Sequence, residues 1–171
     1  YEGVELKGSG TVGLITYLRT DSTRISEEAD AAARVYIEEQ YGAEYVAERV
    51  AAANDGKKIQ DAHEAIRPTD LSRTPAEMKE SLGRDQFRLY QLIWKRFAAS
   101  RMTPARYETT AVRIGAAGYR FNASASRLVF EGFRSVYTES EDAKEENNVT
   151  TGKIEPGMEL NLSELDSRQH F

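Results

Sequence analysis

The chain has 171 residues, 40% of them hydrophobic and 30% charged, enough for one packed core or two small ones and consistent with a globular cytosolic class. It has no cysteine, which excludes disulfide staples, thiolate metal sites and cysteine nucleophiles together. The net charge of -5 taken alone argues against a phosphate-rich partner, yet the charge is polarised: Glu139 to Glu146 sets five acids against one lysine, and positions 84 to 106 set six bases against Asp85.

No apolar window approaches the roughly 18 residues a membrane span requires, and no secretory leader opens the chain. The sequence starts at Tyr1 without a methionine and stops at His170-Phe171 on no terminating signal, so it is expected to be a fragment of something longer.

Glu5 to Gly10 reads as a polar turn and Val12 to Leu18 as a strand rich in β-branched and aromatic residues, weakened at Gly13. Ser26 is a helix N-cap with Glu27 and Glu28 in the first turn, where the helix dipole favours acids. Ala29, Ala32, Ala33, Tyr36 and Ile37 follow at helical spacing, and Gly42 stops the run. Glu44 to Ala53 reads as a second, shorter helix closed by Asn54-Asp55-Gly56. The stretch DAHEAIRPTD, Asp61 to Asp70, reads as a loop in which Pro68 holds Arg67 extended.

Thr74-Pro75-Ala76-Glu77 combines an N-cap, a proline at the first helical position and the glutamate of a capping box, which predicts a short helix to Leu82. From Asp85 to Arg101 runs the longest helix: Phe87, Leu89, Tyr90, Ile93, Trp94, Phe97 and Ala98 form its apolar arc, and Arg88, Gln91, Lys95 and Ala99 its wet face. Thr103-Pro104 ends it. Tyr107 to Ile114, Tyr119 to Ser126, Leu128 to Thr138 and Met158 to Leu165 then alternate apolar and polar residues as antiparallel strands do. The fold class expected is α+β, with a boundary near residues 104 to 107.

The densest polar chemistry lies in Gly13 to Ser26, GLITYLRTDSTRIS. In a strand, Tyr17 and Arg19 project from one face. A tyrosine hydroxyl ordinarily titrates near 10, so an attacking tyrosine needs a positive neighbour or a base. Arg19 supplies a permanent charge whose fork matches a phosphate, and Thr20, Asp21, Ser22 and Thr23 stand at the mouth of a helix, where hydroxyls and free N–H groups hold phosphate oxygens. The constellation suits attack on a phosphodiester. The same pattern is met by a rim tyrosine, a solvated arginine and a Ser/Thr turn, and turn chemistry is the commoner of the two. His63, flanked by Glu64 and Arg67, is a candidate proton donor or phosphate ligand, although loop histidines are more often solvated or cap a turn. No spacing supports a metal site; the acids from 139 to 146 have the pattern of a solvated loop, and His170 stands apart.

Three separated motifs carry a more specific signal. ITYLRTDST at 15 to 23, preceded by YEG at 1 to 3, is followed by DAHEAIRPTD at 61 to 70 and LYQLIWKRFAASRMTPARYE at 89 to 108. Together and in this order they resemble the central region of bacterial type IA DNA topoisomerases, topoisomerase I, along the whole chain. Leu18 beside Tyr17 leans toward topoisomerase I over the topoisomerase III relatives, which tend to carry proline there.

The resemblance implies a cytoplasmic, nucleoid-associated bacterial enzyme with no membrane partner. Its tyrosine attacks one strand of negatively supercoiled DNA, forms a 5′-phosphotyrosine link and reseals after strand passage, without ATP. By position Tyr17 is then the nucleophile, Arg19 contacts the scissile phosphate, and His63 lies near the active site as a proton relay or orienting group. Thr20, Asp21, Ser22 and Arg67 match positions that shape the site or meet the DNA backbone. The family's toprim domain, which binds Mg²⁺, its groove-completing domain and its zinc-binding region lie outside this chain. Residues 1–106 are expected to be the tyrosine-bearing gate domain and 107–171 one half of the β strap, with an open sheet edge. Such a fragment is expected to be inert alone; the alternative is a noncatalytic module that binds single-stranded DNA or another subunit.

Overall fold

A computed structural model describes residues 1–6, 8–48, 63–138 and 154–166. Their order is β1 (Val4–Leu6), β2 (Gly10–Val12), α1 (Glu27–Tyr41), α2 (Pro75–Met78), α3 (Arg84–Ser100), β3 (Arg106–Ala116) and β4 (Tyr119–Phe130), with single 3₁₀ turns at Ala43–Tyr45 and Gly132–Ser135. By their contacts the described residues form two units: those within 1–108 and 128–138, and those within 109–127 and 154–166. The architecture is α+β.

The caps act where the sequence puts them. Ser26 Oγ accepts the N–H of Ala29 at 3.3 Å and opens α1, which Gly42 ends at φ 110°. Thr74 Oγ1 accepts from the Glu77 N–H while Glu77 reaches back to the Thr74 N–H at 2.9 Å, a complete capping box. α2 nonetheless stops at Met78 instead of Leu82, because the Ser81 N–H turns back to the Met78 carbonyl.

α3 is the spine of the first unit. Its Tyr90, Trp94, Phe97 and Ala98 are buried with Ala33 and Ile37 of α1, and Leu6 and Leu14 join the same cluster. Burying each large apolar side chain in it is worth about 1.5–3 kcal/mol. Leu89, expected in the apolar arc, points outward at 52% exposure, since it lies on the stripe of the equally solvated Leu92. Two polar tips anchor the preceding chain on this spine: Trp94 Nε1 donates to the Leu71 carbonyl at 2.9 Å, and Tyr90 donates its hydroxyl to the Arg73 carbonyl at 2.6 Å. Burial pushes the Tyr90 phenol up to about 12. Asp30 of α1 ties the two helices, accepting Arg34 at 2.7 Å and Arg101 at 2.9 Å; burial raises its carboxyl, but the two guanidiniums outweigh it and hold the group below its ordinary value.

Several expected elements take other forms. β1 and β2 pair antiparallel, Val4 with Val12 and Leu6 with Gly10, where a polar turn was expected. The strand expected over Val12 to Leu18 ends at Val12; beyond Gly13 only Ile15 makes a bridge, to Pro68. Instead of the helix expected from Glu44, one 3₁₀ turn ends at Tyr45 and Val46 bridges to Met102; the remainder of that helix, from 49, lies outside the described residues. β3 and β4 form one long hairpin around Ala117-Gly118, both at positive φ (50° and 82°) as a two-residue turn requires. β4 runs through Arg127 to Phe130, and Gly132–Ser135 is a 3₁₀ turn where a further strand was expected. Gly132 sits at φ 51° against the Thr103 and Pro104 carbonyls, a conformation and an approach that only glycine allows. Residues 158–165 form no strand, because alternation needs a ladder partner and none is present among the described residues.

Candidate active site

The segment 14–26 is held by the segment 63–69, and the holding is done largely by backbone and hydroxyl groups. Thr16 N–H donates to the Arg67 carbonyl at 2.9 Å, and the Arg67 N–H donates to Thr16 Oγ1 at 3.0 Å. The Thr16 hydroxyl donates in turn to the Ala65 carbonyl at 2.8 Å, and the Ala65 N–H donates to the Arg24 carbonyl at 2.8 Å. Ala65 thus takes both feet of the loop 17–23. Its methyl group plays no part, which is why nothing in its residue type marks the role.

Within that loop the backbone turns tightly, Arg19 N–H donating to the Tyr17 carbonyl at 3.0 Å. The turn, not strand alternation, brings Tyr17 and Arg19 together: the guanidinium carbon lies 5.4 Å from the centroid of the Tyr17 ring. At an exposed site such a contact is worth about 0.5–1 kcal/mol. Tyr1 meets the same ring edge-on at 5.1 Å. The Tyr17 side chain is 58% exposed, so its hydroxyl is open to a large substrate.

His63 is brought to the loop. Its Nδ1 lies 2.9 Å from Asp21 Oδ2, and its carbonyl accepts the Ser22 hydroxyl at 2.8 Å. That hydrogen bond is the main reason the Asp21 carboxyl is held below its ordinary value. Ser22 Oγ also accepts the Arg24 N–H at 3.1 Å, which commits the hydroxyl to the turn. Thr20 is exposed beside it. Arg67 is spent inward: its guanidinium donates to Glu64 at 2.8 and 3.1 Å and to the Pro68 carbonyl at 2.9 Å, with 13% of the side chain exposed. Glu64 Oε1 accepts the Ser26 N–H at 2.8 Å as well, so the acid that closes the N-terminus of α1 comes from the HEAIRP stretch. The Arg67 hydrogen bonds hold Glu64 below its ordinary value.

The fold therefore gathers Tyr17, Arg19, Asp21, Ser22 and His63 on one loop and its clamp, with Arg67 behind them as a brace. Thr16, Glu64, Ala65 and Tyr1 belong to the same assembly and were not singled out from sequence. The opposite charges of Glu64 and Arg67 at a three-residue spacing were the available signal for that pair. Among the described residues no group of three or more histidine and acidic side chains could hold a metal ion.

The family described as DNA topoisomerase matches this chain over residues 1–171. Among solved structures, the chain is similar to full-length topoisomerase I from Thermotoga maritima in a monoclinic crystal form, at 44% sequence identity and a TM-score of 0.66. The match covers 81% of this chain and 22% of that one. The family that the three motifs resemble is the family these comparisons return. The chain belongs to the bacterial DNA topoisomerases.

Proposed function

We propose that this chain carries the nucleophile of a type IA topoisomerase. Tyr17 attacks a phosphodiester of single-stranded DNA, the P–O bond to the 3′ oxygen breaks, and a 5′-phosphotyrosine link holds the cut end while the other strand passes. Reversal reseals the strand and relaxes negative supercoils without ATP. The observation that carries this is an exposed tyrosine with an arginine over its ring, on a loop fixed by HEAIRP at its feet.

Arg19 stabilises the charge that builds on the attacked phosphate. His63, with its ring on the same loop, moves the proton between the phenol and the departing 3′ oxygen. Thr20 and Ser22 border the DNA backbone, and Arg67 keeps the clamp in shape. The described residues do not suit Mg²⁺, so no step here runs through a metal on this chain. The resemblance assigns that ion to the toprim domain of the parent protein, which leaves residues 1–106 as gate, 107–171 as part of the strap, and the isolated chain inert. Among the described residues no helix is long and apolar enough to cross a membrane, in keeping with a cytoplasmic enzyme whose partners are DNA and the parent's other domains.

The test is to add a toprim-containing piece of the parent, Mg²⁺ and an end-labelled single-stranded oligonucleotide. Covalent capture that vanishes in Tyr17→Phe supports the proposal. Absence of capture where the intact parent works would sink it, and salt-sensitive DNA binding unchanged in Tyr17→Phe would point to a noncatalytic module instead.

A further inference from the structure

Asp21 stands in a row of hydroxyls, and it is the one member of that row whose charge repels a phosphate. The structure gives it a different partner. Its Oδ2 lies 2.9 Å from His63 Nδ1, across 42 positions of sequence, with the two side chains 59% and 35% exposed. The backbone of His63 is fixed separately, its carbonyl accepting the Ser22 hydroxyl at 2.8 Å and Arg24 Nε at 3.4 Å. With the carbonyl and Nδ1 both held, the ring has two points of attachment. Only Nε2 is left over, and it has no hydrogen-bond partner among the described residues.

We propose that Asp21 is the positioning residue of His63: its carboxylate accepts the Nδ1–H, fixes the imidazole in that tautomer, and leaves Nε2 as the one nitrogen that exchanges a proton in the Tyr17 reaction. The chemistry of the pair requires this sense. An ionised carboxylate only accepts hydrogen bonds, so the nitrogen facing it must carry the hydrogen. Asp21 is biased toward the ionised form, first by the His63 hydrogen bond and to a smaller degree by the charge of Arg19.

The inference rests on Tyr17 being the nucleophile. As the bond from Tyr17 Oη to phosphorus forms and the bond from phosphorus to the 3′ oxygen breaks, the phenolic proton passes to Nε2. The resulting imidazolium, protonated on both nitrogens and facing an Asp21 that stays ionised, returns the proton from Nε2 to the 3′ oxygen. Religation runs the same transfers backward, and no proton is gained or lost over the cycle.

The test reads the tautomer directly and needs no DNA. The chain has two histidines, so long-range ¹H–¹⁵N spectra of its imidazoles contain two spin systems, with His170 as the internal reference. At a pH where His63 is neutral, the unmodified chain is expected to show the Nδ1–H pattern at His63. Asp21→Ala is expected to shift His63 to the Nε2–H form common in unrestrained imidazole while leaving the His170 signals in place. An Nε2–H pattern in the unmodified chain, or a His63 pattern unmoved by Asp21→Ala, would overturn the assignment. Neither result touches the Tyr17 proposal, which stands or falls on covalent capture.

Discussion

Thr16 and Ala65 are 49 positions apart in the sequence and 2.8 Å apart in the fold, hydroxyl to carbonyl. The same hydroxyl accepts the Arg67 N–H at 3.0 Å, so one side chain serves two strands of backbone. Thr16→Val keeps the shape and removes both bonds, leaving partly buried backbone groups unpaired. The expected loss is about 1–3 kcal/mol, with Thr16→Ser restoring most of it. Denaturant unfolding followed by the fluorescence of Trp94, the only tryptophan, measures this, and faster amide exchange at Arg67 locates it.

Tyr17→Phe separates chemistry from folding. Only the Tyr17 ring and backbone make contacts among the described residues, to Tyr1 and Arg19, and phenylalanine keeps these. Stability is expected to stay within about 0.5 kcal/mol of the unmodified chain, as for other exposed substitutions. Covalent capture of DNA in the reconstituted assay is expected to disappear. A large drop in melting temperature would show that the hydroxyl has a structural task as well.

Glu64 links the clamp to pH. Arg67, the main cause, holds its carboxyl below the ordinary 4.5, and the Ser26 N–H adds to this. A depressed folded value means that the contribution to stability is present above pH 4.5 and is lost as pH falls through the folded value. Acid titration of the folded chain is therefore expected to show an excess loss of stability beginning below that point. Glu64→Gln should flatten that part of the curve and cost about 1 kcal/mol at neutral pH, the modest size reflecting solvent screening of a partly exposed pair. Unfolding free energies at pH 7 and pH 4, for both chains, decide it.

Gly132→Ala is expected to be the most damaging small substitution. A Cβ at φ 51° would meet the Thr103 carbonyl oxygen and lie 2.6 Å from the carbonyl of Pro104, and both are backbone. Neither can swing aside as a side chain would, so a loss above about 3 kcal/mol is expected. Thermal unfolding checks it, with Gly118→Ala as the control: φ is 82° there, but no atom lies within 4 Å of the added methyl.

Where sequence chemistry is local, the fold was legible. The caps at Ser26 and Thr74, the stop at Gly42 and the buried face Tyr90, Trp94 and Phe97 all follow from neighbours within a turn or two. The expected strand at Tyr17 failed for the opposite reason. Its partners are a carbonyl at 65 and an N–H at 67, and period-two alternation says nothing about a ladder finished by a hydroxyl. The break between β4 and Gly132–Ser135 was missed because it depends on the Thr103 and Pro104 carbonyls, far away in sequence. Of the site, Tyr17, Arg19, Asp21 and His63 were visible as residue types and by resemblance to a family. That Asp21 faces His63, and that Arg67 is turned inward on Glu64, depends on distances no spacing encodes.

The staple at Ala65 also fixes when the tyrosine becomes a reagent. Closing a loop of 49 positions carries an entropic cost that grows with the logarithm of its length, and the contacts that repay it exist only once both ends are present. A chain made from its amino terminus exposes Tyr17 long before Ala65 follows, and during that interval the phenol is one side chain on an unanchored strand. The reactive geometry is thus a late product of folding, available only after the chain has closed on itself.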